Sequence, residues 1–178
     1  MNEYERLLFK EVNKRKPDIE IIKRLLKNGA DINARDERGE TALFEAIGYI
    51  GDIIWKDENG NLAETGDESI ALVQIMVPKI DITIIKHLFE LGADPNIENK
   101  YSESCIVYAV YTFRSDIFKL FLAYGADVNF KVDDNECFCD WIIGELHEFK
   151  WDVNDIAVEE ISKMVMMLNE YKSKAKGG

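Results

Sequence analysis

The amino-acid sequence predicts an all-α solenoid of about four stacked helix-turn-helix units, and three observations lead there. One pentapeptide pattern occurs three times, as Gly29-Ala30-Asp31-Ile32-Asn33, Gly92-Ala93-Asp94-Pro95-Asn96 and Gly125-Ala126-Asp127-Val128-Asn129. The last two copies lie 33 residues apart and the first two 63 apart, which is one period with about 30 residues inserted once. An apolar stripe with helical spacing precedes every copy: Ile22, Leu25 and Leu26, then Ile85, Leu88 and Phe89, then Phe118, Phe121 and Leu122. No single unit can bury its stripe alone, so neighbours must stack.

The first unit, about 1–33, has no leading turn and begins with a helix from about Asn2 to Asn13. Its outer helix stops at Gly29, where the missing Cβ allows positive φ. The second unit, about 34–96, opens with the polar turn Asp36-Glu37-Arg38-Gly39-Glu40 and with Thr41 as N-cap of an inner helix. The insertion falls at about 50–80 and has two readings. In one, Ile53-Ile54-Trp55-Lys56 pairs as a hairpin with Asn61-Leu62-Ala63-Glu64 across Asn59-Gly60, and a short helix runs from Ser69 to Val77, stopped by Pro78. In the other, 51–54 is a stunted outer helix and 57–77 is a worn extra repeat. The third unit, about 97–129, keeps a cap at Ser104 before Cys105 to Val110. The fourth, about 130–178, has Cys137 in the cap position before Phe138 to Ile143. It ends in a helix from about Asp155 to Lys172, whose stripe is Ile161, Met164, Val165 and Leu168, with Glu159, Glu160, Lys163 and Glu170 facing water.

Composition narrows the function classes. The chain is 47% apolar and 31% charged, as suits a folded domain with a substantial core. Its 22 Lys+Arg stand against 34 Asp+Glu, a formal net charge of −12, so its field repels nucleic-acid phosphates and anionic headgroups. No stretch approaches the roughly 18 apolar residues of a membrane span. Three cysteines make no disulfide framework, and a cytoplasmic address with reduced thiols is expected.

The repeated Gly-Ala-Asp-x-Asn, the period of 33 and the turn Asp36-Glu37-Arg38-Gly39-Glu40-Thr41-Ala42-Leu43 resemble the ankyrin-repeat family over most of the chain. Departures stand where that family has Thr-Pro-Leu-His: here Thr41-Ala42-Leu43-Phe44, Ser104-Cys105-Ile106-Val107 and Cys137-Phe138-Cys139-Asp140. The family's Gly-His joint is replaced by Pro17-Asp18, Ile80-Asp81 and Phe113-Arg114. The resemblance implies a single ankyrin-repeat domain over residues 1–178, protein binding and no cofactor. Carried over residue by residue, the family's concave face brings Arg35, Glu37, Arg38, Glu40 and Tyr49 from the second unit. The third brings Glu98, Lys100, Tyr101, Glu103 and Tyr111, and the fourth brings Lys131, Asp133, Asp134, Glu136 and Glu145. Tyrosines set among charges are residue types that dominate docking energy; Trp55 in the insertion either joins them as a contact residue or is a buried anchor that pins the loop to the stack.

Catalytic and metal chemistry find less support. Cys137-x-Cys139, with Glu136, Asp140 and His147, is a fragment of a zinc pattern. In the repeat register, however, Cys139 takes the interior place of Leu43 and Ile106. Cys105 with His87 has the composition of a nucleophile and its base, yet nothing supplies an orienting carboxylate or oxyanion donors. Met166 and Met167 point partly away from the last stripe, as soft docking residues do. The expectation is therefore a non-catalytic module that docks a basic protein on an acidic face. Beneath it stand an adaptor and an inhibitor or immunity-type protein covering the cationic groove of a nuclease or toxin, with a hydrolase or metalloenzyme as the remaining class.

Overall fold

The computed structural model describes residues 1–48, 55–56, 72–73, 81–112, 114–131, 137–149 and 155–176. Among them are eight helices: α1 (Glu3–Val12), α2 (Ile19–Lys27), α3 (Ala42–Ile47), α4 (Ile82–Glu90), α5 (Cys105–Tyr111), α6 (Ser115–Ala123), α7 (Phe138–Phe149) and α8 (Asp155–Lys176). None is long and apolar enough to cross a membrane. Each expected helix of the four repeats is present, and the fold is an all-α repeat fold. Two compact bodies interleave along the chain. The first comprises Met1–Tyr49, Pro78–Ala109 and Leu120–Asp127, the second Ile50–Val77, Val110–Lys119 and Val128–Gly178.

In the first body α1 packs on α2 and α3, and α3 packs on α4. The core holds Leu8, Ile22, Leu43, Ile47, Ile85, Leu88 and Ile106, all fully buried. Each such side chain stabilises by about 1.5–3 kcal/mol relative to an exposed one. Phe89 meets Phe121 edge to face at 5.0 Å and stacks on Tyr124 at 4.7 Å. Leu26 and Leu122, expected in the stripes, are only half-buried. Gly29, Gly92 and Gly125 close α2, α4 and α6 with φ of +99°, +95° and +82°.

The repeated pentapeptide has a second use. Asn33 donates from Nδ2 to the Gly92 carbonyl (3.1 Å) and accepts the Asp94 N–H (2.9 Å). Asn96 does the same to the Gly125 carbonyl (3.1 Å) and the Asp127 N–H (2.7 Å). Asn2, before α1, reaches the Gly29 carbonyl at 3.2 Å and extends the series to the first repeat. Asp31 and Asp94 hold the asparagines in place by accepting the N–H of Asn33 and Asn96. The Asn33 and Asn96 rungs join consecutive repeats through the main chain, and the Asn2 bond ties the first repeat to itself.

In the second body α7 packs on α8 around Phe118, Phe138, Ile142, Ile161 and Met164. Phe138 lies against Phe130 (4.8 Å), Trp141 (5.8 Å) and Phe118 (6.5 Å). Val165, expected in the α8 stripe, is half-buried. Glu160 does not simply face water: its Oε2 accepts the Ser115 N–H at 2.8 Å and so caps α6, while Oε1 pairs with Lys163 at 2.7 Å. Within the insertion, β1 (Trp55–Lys56) pairs antiparallel with β2 (Leu72–Val73), Trp55 opposite Val73. This differs from the hairpin reading, in which the partner is 61–64 and Leu72 and Val73 lie in a helix, and the other reading, a worn repeat over 57–77, contains no such pair. Main-chain pairing has taken these β-branched and apolar residues instead. The rest of the insertion lies outside the described residues.

Capping also departs from expectation. Thr41 occupies the N-cap of α3 but its side chain makes no cap bond, and the buried Ser104 hydroxyl has no hydrogen-bond partner among the described residues. The unrecognised caps are Asp18 and Asp81, which stand where the family's Gly-His joint is missing. Asp18 accepts the Glu20 N–H (2.9 Å) and Asp81 the Thr83 N–H (2.9 Å). Short acidic side chains at these joints start the outer helices.

Candidate functional site

The first body presents two consecutive turns built on one plan. In the second repeat Asp36 Oδ1 accepts the N–H of Arg38 and of Glu40, both at 2.8 Å, and the Asp36 N–H is donated to the Glu40 carbonyl (2.9 Å). In the third repeat Asn99, 63 residues on, repeats the arrangement: Oδ1 accepts from Tyr101 (2.9 Å) and Glu103 (3.1 Å), and its N–H reaches the Glu103 carbonyl (2.9 Å). The turns are joined side by side. Lys100 donates its N–H to the Arg38 carbonyl (2.9 Å), and the Arg35 guanidinium bridges the Gly39 carbonyl (3.1 Å) and the Glu98 carbonyl (2.5 Å). Gly39 is required here, since a Cβ would stand 3.0 Å from the Lys100 nitrogen.

Beneath the turns lies a cleft of about 240 Å³, counting space open to solvent, lined by Arg38, Glu40, Phe44, Glu45, Gly48 and Tyr108. Phe44 and Tyr108 meet edge to face at 5.3 Å on one wall. Arg38 approaches three carboxylates: Glu40 at 2.9 Å, Asp36 at 3.5 Å and Glu45 at 3.6 Å. Burial pushes the Glu40 carboxyl above the usual range; Arg38 opposes this, while Asp36, Glu45 and Glu103 add to it. Burial likewise raises Glu45, again against Arg38. Tyr108 donates to Glu103 Oε2 (2.6 Å), and burial together with that bond keeps the phenol neutral. The cleft therefore gathers three carboxylates around Arg38 beside an aromatic wall.

Placement sorts the residues expected to contact a partner. Glu37, Glu98, Lys100 and Tyr101 are exposed, Tyr101 at 73%. Glu40 is corrected to an interior role: only 4% exposed, its carboxylate serves Arg38. Arg35 is exposed, but its guanidinium is engaged as the staple between turns, and half-buried Glu103 is held by Tyr108 and Asn99. In the second body, half-buried Tyr111 meets Trp141 edge to face at 5.5 Å, and Lys131 is exposed. Trp55 and Glu145 are placed on β1 and α7 by their backbone. Tyr49, Asp133, Asp134 and Glu136 lie outside the described residues. Sequence reasoning missed Tyr108, Glu45 and Asn99, although the repeat register sets Asn99 on Asp36 and would have found it.

The reactive candidates separate. Cys105 is 1% exposed, and burial followed by the charge of Glu40 pushes its thiol well above the ordinary value, so it stays protonated. His87 faces Glu90, Nδ1 to Oε2 at 3.0 Å. Cys137 turns its thiol to Asp140 Oδ2 (2.9 Å), whereas Cys139 is buried near the Val128 carbonyl (3.8 Å). Among the described residues no three potential ligands gather as a metal site.

Comparison with known proteins agrees with this geometry. Residues 12–54 match the family model for ankyrin repeats (many copies). Over 103 residues the chain is 29% identical to the ankyrin repeat protein L371 of Acanthamoeba polyphaga mimivirus, covering 55% of this chain and 13% of that relative's length. The chain thus spans about an eighth of the curated relative it matches. Ankyrin repeats generally mediate protein–protein interaction and are generally non-enzymatic. With the helix pairs, the glycine stops and the asparagine rungs in register, the chain is similar to ankyrin-repeat proteins in sequence pattern and in fold.

Proposed function

We propose that the chain docks a partner protein bearing a basic surface on the acidic turn face of its first body. The observation that carries this reading is the charge of that face: Asp36, Glu37, Glu45, Glu98 and Glu103 against Arg35, Arg38 and Lys100. Glu37 and Glu98 are exposed and set the approach field, with half-buried Glu45 behind them. Charge of this kind raises the association rate, and aromatic burial slows release. Neither role needs a cofactor.

The test is affinity capture at low salt with the wild-type chain and with Glu37→Lys/Glu98→Lys. Basic proteins retained by the wild type are expected to be lost with the double variant, and with salt raised from roughly 50 to 300 mM. Retention indifferent to both would refute the basic-partner reading. A second reading, an inhibitor covering a cationic groove, is favoured by the net charge of −12. Its mark is that the double variant restores activity to a captured nuclease or toxin, which an adaptor would leave unchanged.

A further inference from the structure

Gly39 in the second repeat has φ of +79°, and the residue at its register position in the third repeat is Ser102, with φ of +60°. Among the described residues Ser102 alone is a non-glycine with positive φ. A Cβ in this region is crowded by the neighbouring carbonyl, so the turn is held against a local preference. Four main-chain N–H groups hold it. The Tyr101 and Glu103 N–H groups go to Asn99 Oδ1 (2.9 and 3.1 Å), the Ser102 N–H to the Asn99 carbonyl (3.2 Å), and the Lys100 N–H to the Arg38 carbonyl (2.9 Å). On this fixed and strained turn sits Tyr101, 73% exposed, the most exposed large apolar side chain among the described residues. A ring that loses little freedom on docking is thus held outward, with exposed Glu98 in the same turn and Glu37 in the turn joined to it.

We infer that Tyr101 is the anchor of the docking surface, its ring face receiving an arginine or lysine side chain of the partner while Ser102 stiffens the turn that presents it. This rests on the basic-partner reading and names the group that partner must supply. Cation and ring attract through the ring quadrupole, and the two joined turns keep an acidic surplus even with Arg35, Arg38 and Lys100 counted, which favours a cation over a neutral side chain there. A glycine at position 102 would ease the backbone and also free it, so fold stability and docking respond to that change in opposite directions.

The probe is a fluorescent nona-arginine peptide, followed by anisotropy at low salt with the full chain. Tyr101→Ala is expected to weaken binding about tenfold and Tyr101→Phe to leave it within about twofold, because the ring rather than the hydroxyl is used. Ser102→Gly is expected to raise the melting temperature by a few degrees and to weaken the peptide about threefold. Wild-type affinity in Tyr101→Ala, together with lost affinity in Glu37→Lys/Glu98→Lys, overturns the anchor and leaves the basic-partner reading standing. Wild-type affinity in both variants, or no binding by the wild type, overturns both. A Ser102→Gly variant that binds as the wild type, or that melts lower, overturns the role given to Ser102.

Discussion

Replacing Asn33 by alanine removes one rung of the asparagine series and nothing else of size. The side chain is half-buried, and it gives up a donor bond to the Gly92 carbonyl (3.1 Å) and an acceptor bond from the Asp94 N–H (2.9 Å). Net hydrogen bonds of this kind stabilise by about 0.5–1.5 kcal/mol each, so the pair sets a range of about 1–3 kcal/mol. Gly92 and Asp94 are both exposed, and water can take over their freed groups, which places the expected loss near the middle, about 1.5 kcal/mol. In a chain of this length that lowers the melting temperature by about 3–6 °C. Asn33→Asp is the informative control: it keeps an acceptor for Asp94 but sets a carboxylate against the Gly92 carbonyl, so its loss should at least equal that of alanine. Urea unfolding followed by helical circular dichroism measures both, with the midpoint shifting and the slope unchanged. An alanine variant within about 0.3 kcal/mol of wild type, or an aspartate variant as stable as asparagine, would refute the argument that these rungs join the repeats.

Two further predictions concern carboxylates that titrate in opposite senses. Glu160→Ala should cost about 1 kcal/mol by uncapping α6, and Glu160→Gln, which retains an acceptor oxygen, should cost less; urea midpoints decide, and equal losses would deny the cap. Burial raises the Glu160 pKa, but bonds from Lys163 and the Ser115 N–H outweigh it and hold the carboxyl low, so this stabilisation is present above about pH 4.5 and fades as acid protonates it. Glu40 is the reverse case, because burial raises its pKa in the fold: the folded state binds the proton more tightly, and the associated stability is present at low pH and lost as pH rises through the raised value. The stability of Glu40→Gln relative to wild type should therefore be highest at pH 7 and decline toward pH 4, and a difference independent of pH would contradict the raised carboxyl.

The repeat order and the helix positions were legible in the sequence because they are local. Apolar residues three and four apart, glycines that accept positive φ and polar turns act within a dozen residues, so α1, expected over 2–13, forms at 3–12. The stripe residues Ile22, Ile85, Leu88 and Phe118 are buried for the same reason. The charge that motivates a basic partner was likewise a matter of counting.

Only the tertiary structure decided which polar groups meet. Glu160 caps a helix that begins 45 residues earlier, Asn33 joins Gly92 across 59, and β1 takes its partner from 72–73 rather than 61–64. Arg38 is shared among three carboxylates, and Glu40, drawn among the contact residues by its place in the turn, turns inward to it. Ser102 at positive φ and the hydroxyls of Thr41 and Ser104 that make no cap belong here too. The physical reason is one of range. Helix periodicity is written in successive residues, whereas a polar side chain bonds to whatever the packed helices bring within about 3 Å of it, and that depends on distant segments of the chain rather than on its own.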